Sequence, residues 1–363
     1  MGLHPIAKDR ELPLLYGPVY RLRPASCARG DADEGLKKVI SSQYSPCLME
    51  QRHFSRIQKI AVIVNPASGG SEPPLRELNE ALAPFESTIQ VTQTADDGIR
   101  FCREAVSAGV DLIIVYGGDG TISQVLDGLG GSNIPLLVLR GGTGNLIADE
   151  LDLPVGIPET LALFAHGGVW ARPVDLGMIN ETTCFVLRCG CGLEVKALHE
   201  TVHEGKSDWG KLAYAGGLWK AISGQESIDF RIWIDDASEP IEESGIALTV
   251  ANAGRIGAGS LQISPTVSIS DGLLDVCLIE KAALKTVMDL ISSNLSGGSA
   301  PATSLETPSL IRVQKARRIR VETIPPVEFQ ADGDIIGMTP FEIEVRPAAV
   351  WVVVPPPPED EAV

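Results

Sequence analysis

Three short glycine-rich segments have the composition to hold phosphate: Asn65-Pro66-Ala67-Ser68-Gly69-Gly70, Gly117-Gly118-Asp119-Gly120-Thr121 and Gly141-Gly142-Thr143-Gly144-Asn145. Glycine lets backbone amides come close to phosphate oxygens, and hydroxyls such as those of Ser68 and Thr121 can donate or cap. Asp119 adds a carboxylate of the kind that holds Mg²⁺. One such turn is ordinary loop chemistry; three together point to a nucleotide polyphosphate. Near the end of the chain Asp332-Gly333-Asp334 brings two carboxylates together, which suits a general base and equally suits a tight hairpin turn. His199-Glu200-Thr201-Val202-His203 matches the HExxH zinc-protease pattern, with Glu226 as a conceivable third ligand. Gly205 ends that helix at once, whereas zinc proteases keep the pattern inside a longer one, so a solvated helix face is the plainer reading. Gly205-Lys206-Ser207 imitates the end of a Walker loop, but Glu200 stands where its first glycine belongs, and Ile147 breaks a Rossmann fingerprint after Gly144.

The elements that must position these turns are legible as strand-like apolar runs alternating with helical periodicity. KIAVIVN at 59, an amphipathic stretch from Leu75 to Leu82, TIQVTQ at 88, a helix near Gly98 to Ala108, DLIIVY at 111, a helix from Thr121 and PLLVL at 135 follow one another. That order predicts a parallel, helix-covered sheet with all three turns at its carboxyl edge, where helix amino ends offer free N–H groups to phosphate. After Asp175 the texture becomes alternating: CFVLRC, DFRIWI, IALTVAN, LLDVCLI and FEIEV, with one helix expected around Leu212 to Ile222. The expected fold class is α/β. An N-terminal parallel α/β nucleotide-binding domain (57–174, with a strand returning at about 345–354) is followed by a second, mostly antiparallel β domain (175–344). Residues 1–56 read as a partly disordered extension in which Met49 is a candidate alternative start, and 355–363 as a Pro-rich and acidic tail.

Hydrophobic content of 44% with 21% charged residues is that of a folded chain. A net charge of −17 disfavours nucleic acid as a partner. The apolar runs are strand-sized, so no transmembrane segment is expected, and no signal peptide is evident, which suggests the cytoplasm. Seven cysteines, an odd number, fit a reducing compartment. Cys102, Cys184 and Cys277 read as small buried hydrophobes, and Cys189 and Cys191 as packing residues. In the run from Ile311 to Arg320, strand alternation puts Arg312, Arg318 and Arg320 on one face and Lys315 and Arg317 on the other. Such a stripe is ordinarily a solvated edge, and it is also where membrane docking would be sought.

Taken in order, NPASGG at 65, TADDG at 94, GGDGT at 117, GTGN at 142, PVDLG at 173, KLAYAGGLWK at 211, ANAGRIGAGSLQISP at 251, SDGLLDV at 270 and ADGD at 331 resemble the bacterial diacylglycerol kinase, sphingosine kinase and ceramide kinase family of soluble lipid kinases. That family shares its GGDGT loop with NAD kinases, and Ser-Asp-Gly-Leu-Leu-Asp-Val separates the two. The resemblance spans Ile57 to about Val354. It implies transfer of phosphate from ATP, with Mg²⁺, to a lipid hydroxyl such as that of diacylglycerol, met by peripheral and transient contact with a membrane surface; a homodimer is left open. It implies that Asn65, Pro66, Ala67, Ser68, Gly69, Thr94, Gly118, Asp119, Gly120, Thr121, Ile122, Ser123, Gln124 and Thr143 line the ATP site. Asp119 and Asp175 would hold the catalytic Mg²⁺ through water. A second, structural Mg²⁺ would sit on Asp271 with backbone oxygens of Ser268 and Leu273. The family's Asp-Gly-Glu base element corresponds to Asp332-Gly333-Asp334, leaving Asp332 and Asp334 as alternative bases. Two residues depart from the pattern: Leu146 stands where many members carry an aspartate, and Asp334 is one methylene shorter than the usual glutamate.

Overall fold

Strands β2 (Lys59–Val64), β4 (Leu112–Gly117) and β5 (Pro135–Arg140) are apolar almost throughout, and every residue of each but the last or first is buried. Such strands must be covered on both faces, and they pair in parallel, β2 with β4 and β4 with β5. The computed structural model describes residues 51–69, 72–94, 96–164, 168–203, 226–255, 264, 266–281 and 311–357. The extension up to residue 50, the helix expected around Leu212 to Ile222, Gly70, most of the segment after Arg255 and the tail from 358 lie outside them.

In chain order the remaining elements are β1 (Arg52–Phe54), α1 (Leu75–Leu82), β3 (Glu86–Val91), α2 (Asp97–Ala108), α3 (Asp119–Leu129), α4 (Leu146–Glu150), α5 (Ile157–Leu161), β6 (Val169–Ile179), β7 (Thr183–Phe185), β8 (Arg188–Gly192), α6 (Leu193–His203), β9 (Ile228–Ile234), β10 (Ile241–Gly245), β11 (Ala247–Ala251), β12 (Leu274–Ile279), β13 (Ile311–Ala316), β14 (Arg318–Ile324), β15 (Glu328–Ala331), β16 (Asp334–Met338) and β17 (Phe341–Val353). The first sheet runs β10-β9-β14-β17-β5-β4-β2-β3, with β6 also pairing β17, β1 and β7. Its β2, β3, β4, β5 and the end of β17 are parallel neighbours; the rest is antiparallel. The second sheet, β13-β12-β11-β8-β15-β16, is antiparallel throughout.

The α/β class and the mostly antiparallel second sheet are as the sequence indicates. The first sheet is continuous across both expected domain boundaries: β6 runs through residue 174 and the 13-residue β17 through 344–345. β17 lies parallel to β5 at Trp351–Val352 and antiparallel to β14 at Phe341–Glu344, so one strand couples the nucleotide-type sheet to the β-rich region. Residues of α2, α3, β4 and β5 share one apolar core with Val174, Leu187, Ala253 and Ile269 from later in the chain. Among the described residues no helix is long and apolar enough to cross a membrane.

Two expected strands are cut by contacts from far away. CFVLRC is not one strand but β7 and β8, because the amides of Val186 and Leu187 turn to donate to Asp332. The basic run from Ile311 is broken at Arg317, whose amide donates to Asp235 Oδ1 at 2.7 Å, and its halves join different sheets. The stripe is therefore not a free cationic patch: Arg320 pairs with Glu322 at 2.7 Å and Glu342 at 3.1 Å, and Lys315 turns inward to Asp271 and Asp275.

Candidate functional site

The three glycine turns meet where β2, β4 and β5 end. Asn65 Nδ2 donates to Thr121 Oγ1 at 2.7 Å, tying the first turn to the second. Ser68 Oγ donates to Gly141 O at 3.2 Å, tying the first to the third, and the Ile147 amide donates to Asp119 Oδ1 at 3.1 Å, tying the third to the second. The third turn is closed on itself by Asn145, which accepts from the Gly142 amide at 2.9 Å and donates to Gly142 O at 2.7 Å. The turns approach so closely that a Cβ on Gly142 would lie 2.5 Å from Gly118 Cα. Only glycine fits there, and the cradle so formed is backbone-lined.

The first turn of α3 begins at Asp119, so the amides of Gly120 and Thr121 have no partner within the helix and aim out of its positive end. Asp119 Oδ2 has no hydrogen-bond partner among the described residues, which leaves one carboxylate oxygen of the cradle for a cation. Pro66, Ala67, Gly69, Thr94, Gly120 and Thr143 are exposed, and Gly118, Ser123 and Gln124 half-buried, around this edge. Thr94 is held by Asp97, a residue the motif reading passed over. The Gln93 and Thr94 amides donate to Asp97 Oδ2 at 2.7 and 2.9 Å. Together with Arg100 these donors hold that carboxyl well below the usual range. Ile122, expected to line the nucleotide, turns inward instead of into the cradle. Its side chain is fully buried in the core and its amide donates to Gly118 O at 3.1 Å.

Beside the cradle lies a cleft of about 240 Å³ between the α3 residues Gly120, Ser123 and Gln124 and the β15–β16 hairpin, with both Asp332 and Asp334 in its wall. The hairpin loop is Asp332-Gly333, with φ of 48° and 97°, between the paired residues Ala331 and Asp334. Two left-handed residues closing an antiparallel pair are the tight turn that Asp-Gly favours. The two aspartates have different surroundings. Asp332 Oδ2 accepts from Ser123 Oγ and the Val186 amide, both at 2.8 Å, and its Oδ1 from the Leu187 and Arg188 amides at 2.9 and 3.0 Å. Burial raises its pKa, and these donors act against the shift. Asp334 is exposed. The turn itself is anchored by Gln330, which accepts from the Gly333 amide at 2.8 Å and donates to Glu194 Oε2 at 2.8 Å; Glu194 in turn accepts from Thr249 Oγ1. No motif marks Gln330 or Glu194; only the assembled sheet shows their part. A larger, more open groove of about 660 Å³ along α2 has Arg100, Arg103 and Glu104 in its lining and shares Ile99 with the cleft.

Asp175 lies on β6. Its side chain is fully buried, Oδ1 accepts from the Ala348 amide at 2.7 Å and Oδ2 from the Gly272 amide at 2.6 Å. Burial pushes its pKa up to about 6, against the pull of those amides. It clamps the 270–273 turn to β17, each of its oxygens accepting one backbone amide. At the second implied metal site, Asp271 with the backbone oxygens of Ser268 and Leu273, a lysine ammonium stands against the carboxylate. Asp271 gives one oxygen to the Leu273 amide at 3.0 Å and the other to Lys315 Nζ at 2.9 Å. Among the described residues no group of three or more His, Cys, Asp or Glu converges as a metal site. His199 Nε2 meets Glu328 Oε2 at 2.8 Å on the surface.

The family model described as the diacylglycerol kinase catalytic domain matches residues 59–179, and that of the YegS C-terminal NAD kinase beta sandwich-like domain matches residues 189–354. The diacylglycerol kinase of Mycobacterium tuberculosis (strain CDC 1551 / Oshkosh) is 28% identical over 316 residues, 84% of this chain and 97% of its own. The probable lipid kinase YegS of Escherichia coli O127:H6 is 29% identical over 290 residues, 78% of this chain and 92% of its own. A crystal structure of a diacylglycerol kinase from Bacillus anthracis str. Sterne shares the fold, with a TM-score of 0.63 at 24% identity over 84% of this chain and 98% of that one. With both halves matched in order, and the three turns and the hairpin placed as above, the chain belongs to the lipid kinase family that joins a diacylglycerol kinase catalytic domain to the YegS C-terminal domain.

Proposed function

We propose that the chain transfers the γ-phosphate of ATP to the hydroxyl of a lipid such as diacylglycerol, with Asp334 as the general base. The observation that carries this reading is the adjacency of the three-turn cradle and the hairpin cleft, since Ser123 on α3 bonds directly to Asp332 at the hairpin tip. Phosphoryl transfer asks mainly for positioning and for neutralisation of charge on the moving group. The amides at the start of α3 and the Gly118–Gly142 contact suit the polyphosphate, and Asp119 would hold Mg²⁺, which when bound with ATP supplies the neutralising charge.

A base must be reachable and not fully engaged by donors of its own. Asp334 meets both conditions. Asp332, with four donors on its two oxygens, serves to fix the turn from which Asp334 projects. The name of the Mycobacterium tuberculosis relative favours diacylglycerol as the acceptor. The acceptor would be met by peripheral contact at a membrane surface from the cytoplasm.

The test is incubation of purified protein with Mg²⁺, γ-labelled ATP and vesicles carrying diacylglycerol, a sphingoid base, ceramide or phosphatidylglycerol. Label in the organic phase for one of these is expected; ATP hydrolysis with no labelled lipid would sink the proposal.

A further inference from the structure

Lys315 lies directly opposite Asp275 in the antiparallel pairing of β13 with β12, and its ammonium reaches past that partner into the turn before β12. There it donates to Asp271 Oδ2 at 2.9 Å, Asp275 Oδ2 at 3.0 Å and the backbone oxygen of Thr266 at 3.0 Å. The two carboxylate side chains are 3% and 1% exposed, and the lysine side chain 25%. Two buried carboxylates this close to one point need a cation between them.

We infer that the Lys315 ammonium is that cation, a covalently tethered substitute for the divalent ion that the resemblance to other lipid kinases would place on Asp271. Several features of the geometry support it. Both oxygens of Asp271 are engaged, one by the Leu273 amide and one by the ammonium, so an entering Mg²⁺ would have to displace a cation already in place. A lysine reaching from the facing strand also bridges the 271–275 turn to β13, which is the mechanical task a structural ion performs. The turn is clamped on its other side by Asp175 through the Gly272 amide, so Lys315 and Asp175 fix the same loop from opposite directions. The consequence is that this region of the protein is independent of divalent metal, whatever the nucleotide site requires.

The experiment is thermal melting of the nucleotide-free protein in EDTA and in millimolar Mg²⁺ or Ca²⁺, with Asp119→Asn run in parallel to remove any contribution of the nucleotide site. Asp119→Asn should melt at the same temperature in all three buffers. Lys315→Met, which keeps the stem and removes the charge, should melt roughly 4–7 °C lower in EDTA and recover most of the loss with either ion. It should also bind Tb³⁺ with sensitised luminescence that the wild type lacks. The inference is overturned if Asp119→Asn loses several degrees on chelation. It is equally overturned if Lys315→Met melts like the wild type in EDTA. Should Lys315→Met fail to fold, the Asp119→Asn chelation melt decides alone.

Discussion

Substituting the two aspartates of the hairpin one at a time should separate two effects that a motif comparison would merge. In Asp332→Asn the side chain keeps one acceptor oxygen, which can still serve two of the four donors that Asp332 now receives. Its new NH₂ group must then face either the Val186 amide and Ser123 or the Leu187 and Arg188 amides. The Ser123 hydroxyl can rotate to accept, so the better orientation leaves a single amide, that of Val186, opposed to another donor. An unsatisfied buried donor costs about 1–3 kcal/mol, and losing the charge on the remaining bonds adds to that, giving about 2–4 kcal/mol in all. For a chain of this size that is a melting-point drop of roughly 3–5 °C. Asp334→Asn touches an exposed side chain and should move melting by no more than about 1–2 °C. Turnover should fall by about 10²–10⁴-fold with the KM for ATP little changed, while Asp334→Glu should retain or raise it. Differential scanning fluorimetry and lipid phosphorylation at saturating ATP read the two effects separately. An unchanged melt for Asp332→Asn would refute the four-donor cradle. Near-normal turnover in Asp334→Asn, beside a loss of 10²-fold or more in folded Asp332→Asn, would move the base to Asp332.

Gly142→Ala would drive a Cβ to 2.5 Å from Gly118 Cα, so the second and third turns must part, and the KM for ATP should rise about tenfold or more; an unchanged KM would show that the cradle does not bind nucleotide. The folded-state pKa of Asp175 is raised to about 6 from its unfolded value near 4, so the stability it contributes is full below pH 4 and lost as pH rises through 6, on the order of 3 kcal/mol across that window. The melting difference between wild type and Asp175→Asn should therefore shift against the wild type from pH 4 to pH 6.5; a shift in its favour would reverse the assignment. His199→Ala should leave turnover and zinc content unchanged, because its Glu328 contact joins two half-exposed side chains; stoichiometric zinc lost in the variant would revive the HExxH reading.

The parallel half of the molecule was legible because each strand is an uninterrupted apolar run ending at a glycine turn, and α1 matches the Leu75–Leu82 periodicity residue for residue. What escaped depends on partners remote in sequence. The break between β7 and β8 exists because Asp332, 145 residues beyond Leu187, draws the intervening amides out of the ladder. Lys315 was assigned to the same face as Arg317 because period-two alternation presumes one continuous strand, whereas the bend at Arg317 separates them into two sheets. Asp175 sits in a motif whose resemblance implies a metal ligand, but Ala348 at the bulge of β17 supplies an amide that no local pattern announces. Ile122 follows Thr121 in the GGDGT turn, yet the 3.6-residue period that begins at Asp119 already turns it toward the core.

The measurement closest to the central claim is the rate at which label passes from γ-labelled ATP into diacylglycerol, compared between the wild type and Asp119→Asn. Among the described residues the Asp119 side chain accepts one hydrogen bond, from the Ile147 amide, so the variant should melt within about 1–2 °C of the wild type. The account predicts Mg²⁺-dependent labelled lipid from the wild type and a loss of at least about 10²-fold in folded Asp119→Asn. Near-normal lipid phosphorylation by the variant, or none by the folded wild type with any of the four lipids, would contradict it.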